Sequence, residues 1–188
     1  AIQQSVLDNL CGGRGAGCFG RARMSVTYIL GIDPGLNRCG WGLIASEGSR
    51  LSHVAHGVIK PPQQQQLASR LLCLLDELGA VIDQHQPHEC AVEETFVNSN
   101  ARAALALGQA RGVALAAAAR RGVVVAEYAP TTAFLIVVGS GAADKTQIAF
   151  MVRRLLPTAG DVTADAADAL GIALCHAAHG GFRRRAGA

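Results

Sequence analysis

Four acidic side chains stand out because their positions could bring them together in the folded chain. Asp33 ends an apolar run directly before a Pro-Gly turn, and Glu93 ends a second short apolar run. Asp165 and Asp168 are three residues apart in ADAADAL, so a helix places both on one face. Clustered carboxylates are the ligands that hard divalent cations such as Mg²⁺ prefer. Two such ions about 3.5–4 Å apart activate a water on one side of a phosphodiester and stabilise the leaving oxygen on the other.

Each of these acids also has an ordinary structural explanation. Aspartate is common beside turns, which accounts for Asp33, and a glutamate at a strand end, such as Glu93, is often simply exposed. Asp165 would interact favourably with the positive end of a helix dipole. Asp168 is the hardest to explain in this way, because it lies among alanines and leucines that need no charge. Taken together, the four residues favour a metal site.

The composition predicts one folded, soluble domain. The chain has 188 residues, of which 50% are apolar, and no apolar run approaches the roughly 18 residues that span a membrane. A net charge of +3 permits binding to nucleic acid without requiring it. The six cysteines show neither a CxxC pair nor zinc-ligand spacing. With no secretion signal visible, we expect reduced thiols and a cytoplasmic protein that has no membrane contact.

The sequence divides into three parts. Residues 1–23 are rich in glycine and arginine and lack periodicity, so we expect either a disordered extension or sequence upstream of a start at Met24. Residues 24–180 are expected to form the folded domain. Residues 181–188 are expected to form a flexible basic tail.

Periodicity after Met24 predicts strands first and helices later. The predicted strands are Val26–Asp33, Gly40–Ala45, Leu51–Ile59, Glu89–Glu93 and Val123–Glu127. The predicted helices are Leu67–Gln86, Ala101–Arg120, Thr131–Val138, Asp144–Leu156 with Asp144 as N-cap, and Thr163–His179. This order implies an α/β fold with a mixed five-stranded sheet flanked by helices on both faces. It is the order of the ribonuclease H-like fold, whose first and fourth strands are neighbours, so Asp33 and Glu93 should lie side by side.

From about residue 27 to residue 180 the chain resembles the RuvC family of Holliday-junction resolvases. The segments that carry the resemblance are ILGIDPGLNRCGWGLI, AVEETF, ALALGQARGV, GSGAADKTQI and ADAADALGIAL. Their order and combination are specific. The resemblance implies a metal-dependent, structure-specific endodeoxyribonuclease that resolves four-way DNA junctions by paired, symmetric nicks in recombination and repair. Its products would carry 5′-phosphate and 3′-hydroxyl ends.

The resemblance also assigns roles to single residues. The positions that match the four acids above are the catalytic metal ligands of the family, and the pattern A-V-E-x-x-F places the second ligand at Glu93 rather than at Glu94. Two Mg²⁺ ions per active site are implied, with Mn²⁺ as a substitute. Phe96 would stack on an unpaired base at the junction centre, and Lys145 would hold the DNA strand.

The symmetry of the implied substrate suggests how the protein assembles. A four-way junction is nearly two-fold symmetric and needs two matched nicks, so an isologous homodimer with one site per subunit suits it. The alanine-rich Ala101–Arg120 helix is the candidate interface. The resemblance further implies that the dimer works with the RuvA–RuvB branch-migration complex.

The sequence departs from the family where a DNA-facing surface is expected. After Pro130 the family usually has an arginine and, a few positions on, a lysine, whereas Thr131–Ile136 carries no positive charge. Arg102 and Arg111 are the candidates to supply the missing phosphate contacts. All four carboxylates are therefore present, while two of the positively charged residues expected to contact DNA are absent.

Two other functions stay open at this point. One is a junction-binding protein of the same fold with weak or no cleavage, which the uncharged Thr131–Ile136 segment favours. The other is an ATP-binding domain of the actin and sugar-kinase type, whose first phosphate loop also has the sequence GIDPG after a strand. That class needs a second, similar domain and an adenosine-binding glycine pair, for which the chain after Met24 is too short.

Overall fold

The computed structural model describes residues 25–94, 100–139 and 145–186. Its strands are β1 (Thr27–Asp33), β2 (Cys39–Glu47), β3 (Arg50–Ile59), β4 (Glu89–Glu93) and β5 (Val124–Tyr128). Its helices are α1 (Leu67–His85), α2 (Ala101–Ala119), α3 (Pro130–Val138), α4 (Lys145–Leu155) and α5 (Ala164–Ala186), with a short 3₁₀ helix at Pro157–Ala159. Among the described residues, no helix is long and apolar enough to cross a membrane.

The strands of the described chain form one five-stranded sheet in the order β3-β2-β1-β4-β5. β1 pairs antiparallel with β2 and parallel with β4, which places Ile32 opposite Val92. Asp33 and Glu93 are the next residues of these two strands, so both stand at the same end of the sheet. The predicted mixed sheet, with its first and fourth strands adjacent, is confirmed.

A two-residue turn connects β2 to β3. Glu47 pairs with Arg50 across the hairpin, which leaves only Gly48 and Ser49 to reverse the chain. Gly48 has a φ of 63°, a left-handed conformation that glycine adopts without a steric penalty. β2 and β3 therefore form a hairpin, whose turn sets their register as far as the irregularity between Leu43 and Ile44.

Helices cover both faces of the sheet. Alternate residues of β1 point to opposite sides, so the strand contributes to a buried cluster on each face. Leu30 and Ile32 join a buried cluster with residues of α1 and α2, such as Leu74. Ile29 joins a second buried cluster with residues of α4 and α5, such as Leu170. Burying one leucine or isoleucine side chain contributes about 1.5–3 kcal/mol. The two clusters together hold the ends of β1 and β4 in place.

α5 lies directly on the sheet because β1 and β2 present glycines to it. A Cβ built on Gly31 would lie 2.8 Å from the main-chain nitrogen of Ala173, and a Cβ on Gly40 would overlap the main-chain carbonyl of Asp165. Glycine is therefore required for this close approach. The contact brings the first turn of α5 to the end of the sheet at which Asp33 stands.

The last helix and the two ends of the chain differ from the prediction or lie outside the description. α5 continues to Ala186 instead of ending at His179, so most of the segment expected to be a flexible tail is helical. Gly180 and Gly181 favour a helix end, yet glycine inside a helix costs only about 1 kcal/mol, which the rest of α5 outweighs. Residues 1–23, which were expected to be an extension, lie outside the described residues.

Candidate active site

Three of the four predicted acids line one small cavity. Asp33 at the end of β1, Glu93 at the end of β4 and Asp168 on α5 border a space of about 70 Å³. The rest of its described lining is almost entirely apolar: Pro130, Ala133, Val137, Ile148, Gly171 and Ile172. Each of the three acids is only partly exposed. Apolar walls lower the local dielectric, so charges inside this cavity interact more strongly than they would in water.

The fourth predicted acid, Asp165, lies apart from the other three. It is not among the described residues that line the cavity. Arg38 Nε instead donates a hydrogen bond of 2.6 Å to Asp165 Oδ2. Asp165 and Asp168 lie three residues apart on one face of α5, as predicted. Their surroundings differ: Asp168 lines the cavity, whereas Asp165 is paired with Arg38.

The donor chemistry of the cavity fits a hard divalent cation, since carboxylate oxygens are the ligands such ions prefer. The acidic side chains lie farther apart than the ligands of a bound metal ion. Within the described residues, no three His, Cys, Asp or Glu side chains converge closely enough to hold an ion. The three cavity acids and Asp165 can therefore supply the ligands of a cation only after their side chains turn toward one another.

Glu93 and its neighbour Glu94 have different positions. Glu93 is the last residue of β4 and lines the cavity. The main-chain nitrogen of Glu94 donates to the carbonyl oxygen of Tyr128 at 2.8 Å, which continues the hydrogen bonding between β4 and β5. Of the two glutamates, only Glu93 is among the described residues of the cavity wall.

Cys39 lies beside the acids but is not a candidate ligand. Burial is the main cause that raises the pKa of its thiol to about 12; a backbone hydrogen bond from Gly35 acts against it, and the charges of Asp33 and Asp165 contribute to the rise. Cys39 is also fully buried, and it is not among the described residues that line the cavity. Cys39 therefore serves as an apolar packing residue at the edge of the site.

The residues expected to contact DNA are only partly described. Phe96 lies outside the described residues, as does the side chain of Lys145. α4 begins at Lys145, and Ile148, three residues on, lines the cavity, so the start of this helix is beside the site. Arg102 is exposed in the first turn of α2. These positions leave the predicted DNA contacts as predictions.

Arg111 is engaged within the protein. Its guanidinium forms an ion pair with Glu127 on β5, and its Nε is buried without a hydrogen-bond partner among the described atoms. A contact with a DNA phosphate would have to compete with this pair. The predicted role of Arg111 therefore requires a rearrangement that the exposed Arg102 does not need.

The uncharged segment Thr131–Ile136 lies in α3, next to the cavity. Ala133 is buried and lines the cavity, and Val137, one turn later, does the same. Thr131 is exposed at the start of the helix. The side chain of Phe134 lies outside the described part of the structure.

Sequence reasoning missed two sets of polar contacts, one in the loop after β1 and one that joins α5 to β4 and β5. Arg70 on α1 donates to the carbonyl oxygen of Leu36 at 2.9 Å and to Asn37 Oδ1 at 2.7 Å, which ties the loop after β1 to a helix. His176 on α5 bonds Tyr128 on one side and Glu89 on the other, at 2.8 and 2.7 Å. The partners are far apart along the chain, so no local spacing signals them.

The comparisons with known proteins cover most of the chain. The family model described as crossover junction endodeoxyribonuclease RuvC matches residues 29–176. This chain belongs to the RuvC family. A relative named crossover junction endodeoxyribonuclease RuvC from Caulobacter sp. (strain K31) is 60% identical over 149 residues, which are 79% of this chain and 88% of the relative. A relative of the same name from Hyphomonas neptunium (strain ATCC 15444) is 54% identical and covers 85% of this chain and 96% of its own length.

Solved structures of RuvC proteins have the same fold. The structure described as T. thermophilus RuvC in complex with Holliday junction substrate superposes with a TM-score of 0.78 at 31% identity, and it covers 84% of this chain and 96% of that one. The yeast mitochondrial Holliday junction resolvase Ydc2 has a TM-score of 0.60 at 13% identity, which shows a shared fold alone. The predicted resemblance to the RuvC family and the predicted fold are confirmed.

Proposed function

We propose that this chain is a metal-dependent endodeoxyribonuclease that resolves four-way DNA junctions by paired, symmetric nicks. The observation that carries the proposal is the cavity at which Asp33, Glu93 and Asp168 meet, in a chain of the RuvC family. These three carboxylates come from three separate elements and border one cavity whose other described lining residues are apolar. Their use as ligands for a catalytic cation explains why the fold brings them together.

The four acids are assigned as the metal ligands. Asp33, at the end of the strand between β2 and β4, would be the ligand common to both ions, and Glu93 and Asp168 would complete their ligand sets. Asp165 completes the set when its side chain leaves Arg38. Mg²⁺ is the proposed ion and Mn²⁺ its substitute; such an ion supplies a Lewis acid for the phosphate and a more acidic water.

The residues around the acids prepare the site for one strand of DNA. The apolar wall from α3 and α4 limits the water that reaches the carboxylates, which strengthens their interactions with charge. Phe96 is proposed to stack on an unpaired base, and Lys145 and Arg102 to hold the phosphates on each side. The attacking water displaces the 3′ oxygen, so the nick carries a 5′-phosphate and a 3′-hydroxyl.

The proposed active form is a homodimer that joins through α2. Leu105 on this helix is 69% exposed, and Gly108 and Gly112, which follow at helical spacing, have open space above them. An exposed apolar side chain followed by two exposed glycines would let a second helix approach closely. A two-fold interface of this kind gives one site for each of the two strands to be cut.

The proposed partners and location follow from this activity. The dimer acts on junction DNA in the cytoplasm together with the RuvA–RuvB branch-migration complex. The RuvC-family relatives named above support the choice of DNA substrate.

A cleavage assay tests the proposal directly. Purified protein is incubated with Mg²⁺ and either a mobile four-way junction or a linear duplex of the same sequence. We expect paired nicks in the junction alone, with ends that a DNA ligase can reseal. Tight binding to the junction without nicks would instead support the non-cleaving junction-binding protein of the same fold.

A further inference from the structure

The Arg38–Asp165 ion pair lies between two features of the surface. On one side is the carboxylate cavity, which Asp168 lines one helical turn beyond Asp165. On the other side is a wider groove of about 380 Å³, which Arg38 itself lines together with Arg70 and the start of α2. Arg38 is thus placed where it can exchange one anionic partner for another.

The backbone of Asp165 is fixed, while its side chain is not. Its main-chain carbonyl is in contact with Gly40, so the start of α5 cannot shift against β2 without a clash. Gly40 in turn pairs in register with Asp33, a proposed metal ligand. Rotation of the Asp165 side chain, rather than a shift of α5, is therefore the movement that would bring the fourth carboxylate toward the other three.

We propose that Arg38 is a positioning residue that holds Asp165 outside the carboxylate cavity until a divalent cation binds, and that the released Arg38 then contacts a DNA phosphate. This inference rests on the proposed function, because it assumes that the cavity binds a cation. It adds to the four proposed metal ligands a basic residue that positions one of them and then contacts the DNA.

The exposure of the pair suits such an exchange. The side chains of Arg38 and Asp165 are 46% and 27% exposed, so water can replace each partner as the pair separates. Exposed pairs of this kind are weak, and their loss changes a linked binding constant by only about two- to fivefold. A buried pair would instead leave an uncompensated charge and would hold Asp165 permanently.

The surroundings of Arg38 favour a phosphate as its second partner. The guanidinium is a planar fork of donors that matches a phosphate. Arg70 fixes the loop on which Arg38 stands through its bonds to Leu36 and Asn37. Arg38 therefore lies beside a groove, on a loop that Arg70 holds in place. A change of side-chain conformation alone would direct its guanidinium toward a DNA phosphate in that groove.

The first test measures binding of Mn²⁺ alone, without DNA, by isothermal titration calorimetry. We expect Arg38→Gln to bind Mn²⁺ about two- to fivefold more tightly than the natural sequence, because the cation no longer competes with an ion pair. Arg121→Gln is the matched control. It also removes an arginine paired with an aspartate, here Asp83 at 2.6 Å, but at the opposite end of the sheet, and it should leave Mn²⁺ affinity unchanged.

The second test measures junction binding in Ca²⁺ as a function of salt. Loss of one phosphate contact should reduce the slope of log K against log salt by about 0.9 for Arg38→Gln and leave it unchanged for Arg121→Gln. Arg38→Lys keeps the charge and should restore most of the slope. The Arg38 side chain is 46% exposed, so its variants should keep the melting temperature of the natural sequence. The Arg121 side chain is 26% exposed, so Arg121→Gln is compared at a temperature below its own unfolding transition.

Three results would overturn the inference. Unchanged or weaker Mn²⁺ binding by Arg38→Gln would show that the pair does not compete with the cation, and an unchanged salt slope would show that Arg38 does not reach phosphate. If the natural sequence itself binds no Mn²⁺, the proposed function fails together with the inference. Mn²⁺ binding that Asp33→Asn abolishes and Arg38→Gln leaves unchanged overturns only the role of Arg38.

Discussion

Gly40 on β2 lies against the main-chain carbonyl of Asp165 at the first turn of α5, with no room for a side chain between them. Because Gly40 also pairs in register with Asp33, this contact sets the position of one proposed metal ligand relative to another. The absence of a side chain on Gly40 thus allows the first turn of α5 to approach the strand end that carries Asp33.

Gly40→Ala is expected to destabilise the protein and to impair cleavage together. The added methyl group would force α5 away from β2, and overpacking of this kind costs about 1–3 kcal/mol. For a chain of this size each kcal/mol lowers the melting temperature by about 2–4 °C. Thermal unfolding checks the first effect, and junction cleavage below the transition checks the second.

Gly171→Ala is the control for the stability effect of Gly40→Ala. A Cβ at Gly171 would meet only Ile148 Cγ2 at 3.5 Å, an ordinary contact. Alanine inside a helix is favoured over glycine by about 0.5–1 kcal/mol, so this variant should unfold at an equal or higher temperature. An equal fall in melting temperature for both variants would show that the contact between Gly40 and Asp165 is not the cause of the destabilisation.

Asp33→Asn and Asp168→Asn should each abolish nicking while leaving the fold and junction binding nearly unchanged. Each keeps the size of the side chain and removes one anionic ligand. Outer partners of metal ligands are typically worth 10–100-fold, so loss of a ligand itself should slow single-turnover cleavage by at least about 100-fold. Asp83→Asn, an exposed change on α1, is the control, and near-normal turnover by a site variant would remove that carboxylate from the catalytic set.

The choice of cation should decide between binding and cleavage. Mg²⁺ and Mn²⁺ are expected to support nicking, whereas Ca²⁺ should allow junction binding with little turnover. Ca²⁺ accepts the same oxygens at longer distances and in looser geometry, which misplaces the attacking water. Gel-shift and cleavage assays on the same junction compare the ions, and activity that survives an excess of chelator would refute metal dependence.

The end of the sheet could be predicted from sequence because its signals are local. The strand predicted at Glu89–Glu93 has those bounds in the structure, and the apolar run before Asp33 ends where β1 ends. Strand order then follows from the short list of allowed connections, which places the two acids on neighbouring strands. Helical spacing alone puts Asp165 and Asp168 on one face of α5.

The ion pairs of the site could not be predicted, because they depend on side-chain positions. Arg38 and Asp165 are 127 residues apart in sequence, and nothing local distinguishes Arg38 from the other arginines. The ion pair between Arg111 and Glu127 has no local sequence signal either, although Arg111 is a residue expected to contact DNA. Long, flexible side chains take their partners from the tertiary structure that brings charges together.

Leu105→Glu is expected to weaken the proposed dimer without unfolding the subunit. Leu105 is 69% exposed on α2, so its replacement costs the monomer little, whereas a pair of facing carboxylates would repel across a two-fold axis. Sedimentation velocity should show a shift toward monomer. Leu72→Glu is the control, since Leu72 is 57% exposed on α1 and lies outside the proposed interface. A dimer that survives the first change would place the interface elsewhere.

Phe134→Lys tests whether α3 faces DNA. If it does, a lysine at this position should tighten junction binding and steepen the slope of log K against log salt by about 0.9. Thr131→Lys adds the same charge at an exposed position of the same helix and serves as the control. Salt-dependent binding and the melting temperature are measured on both proteins.

The two lysine variants separate a surface role of Phe134 from a buried one. Ala133 and Val137, on either side of Phe134 in α3, are 4% and 6% exposed, so the helix has a buried face close to this position. A charge forced into that face would lack hydrogen-bond partners and destabilise the fold. A large fall in melting temperature for Phe134→Lys alone, with no steeper slope, would therefore show that Phe134 is a core residue. The missing phosphate contacts would then have to come from Arg102 or from the released Arg38, which are exposed and already carry the charge.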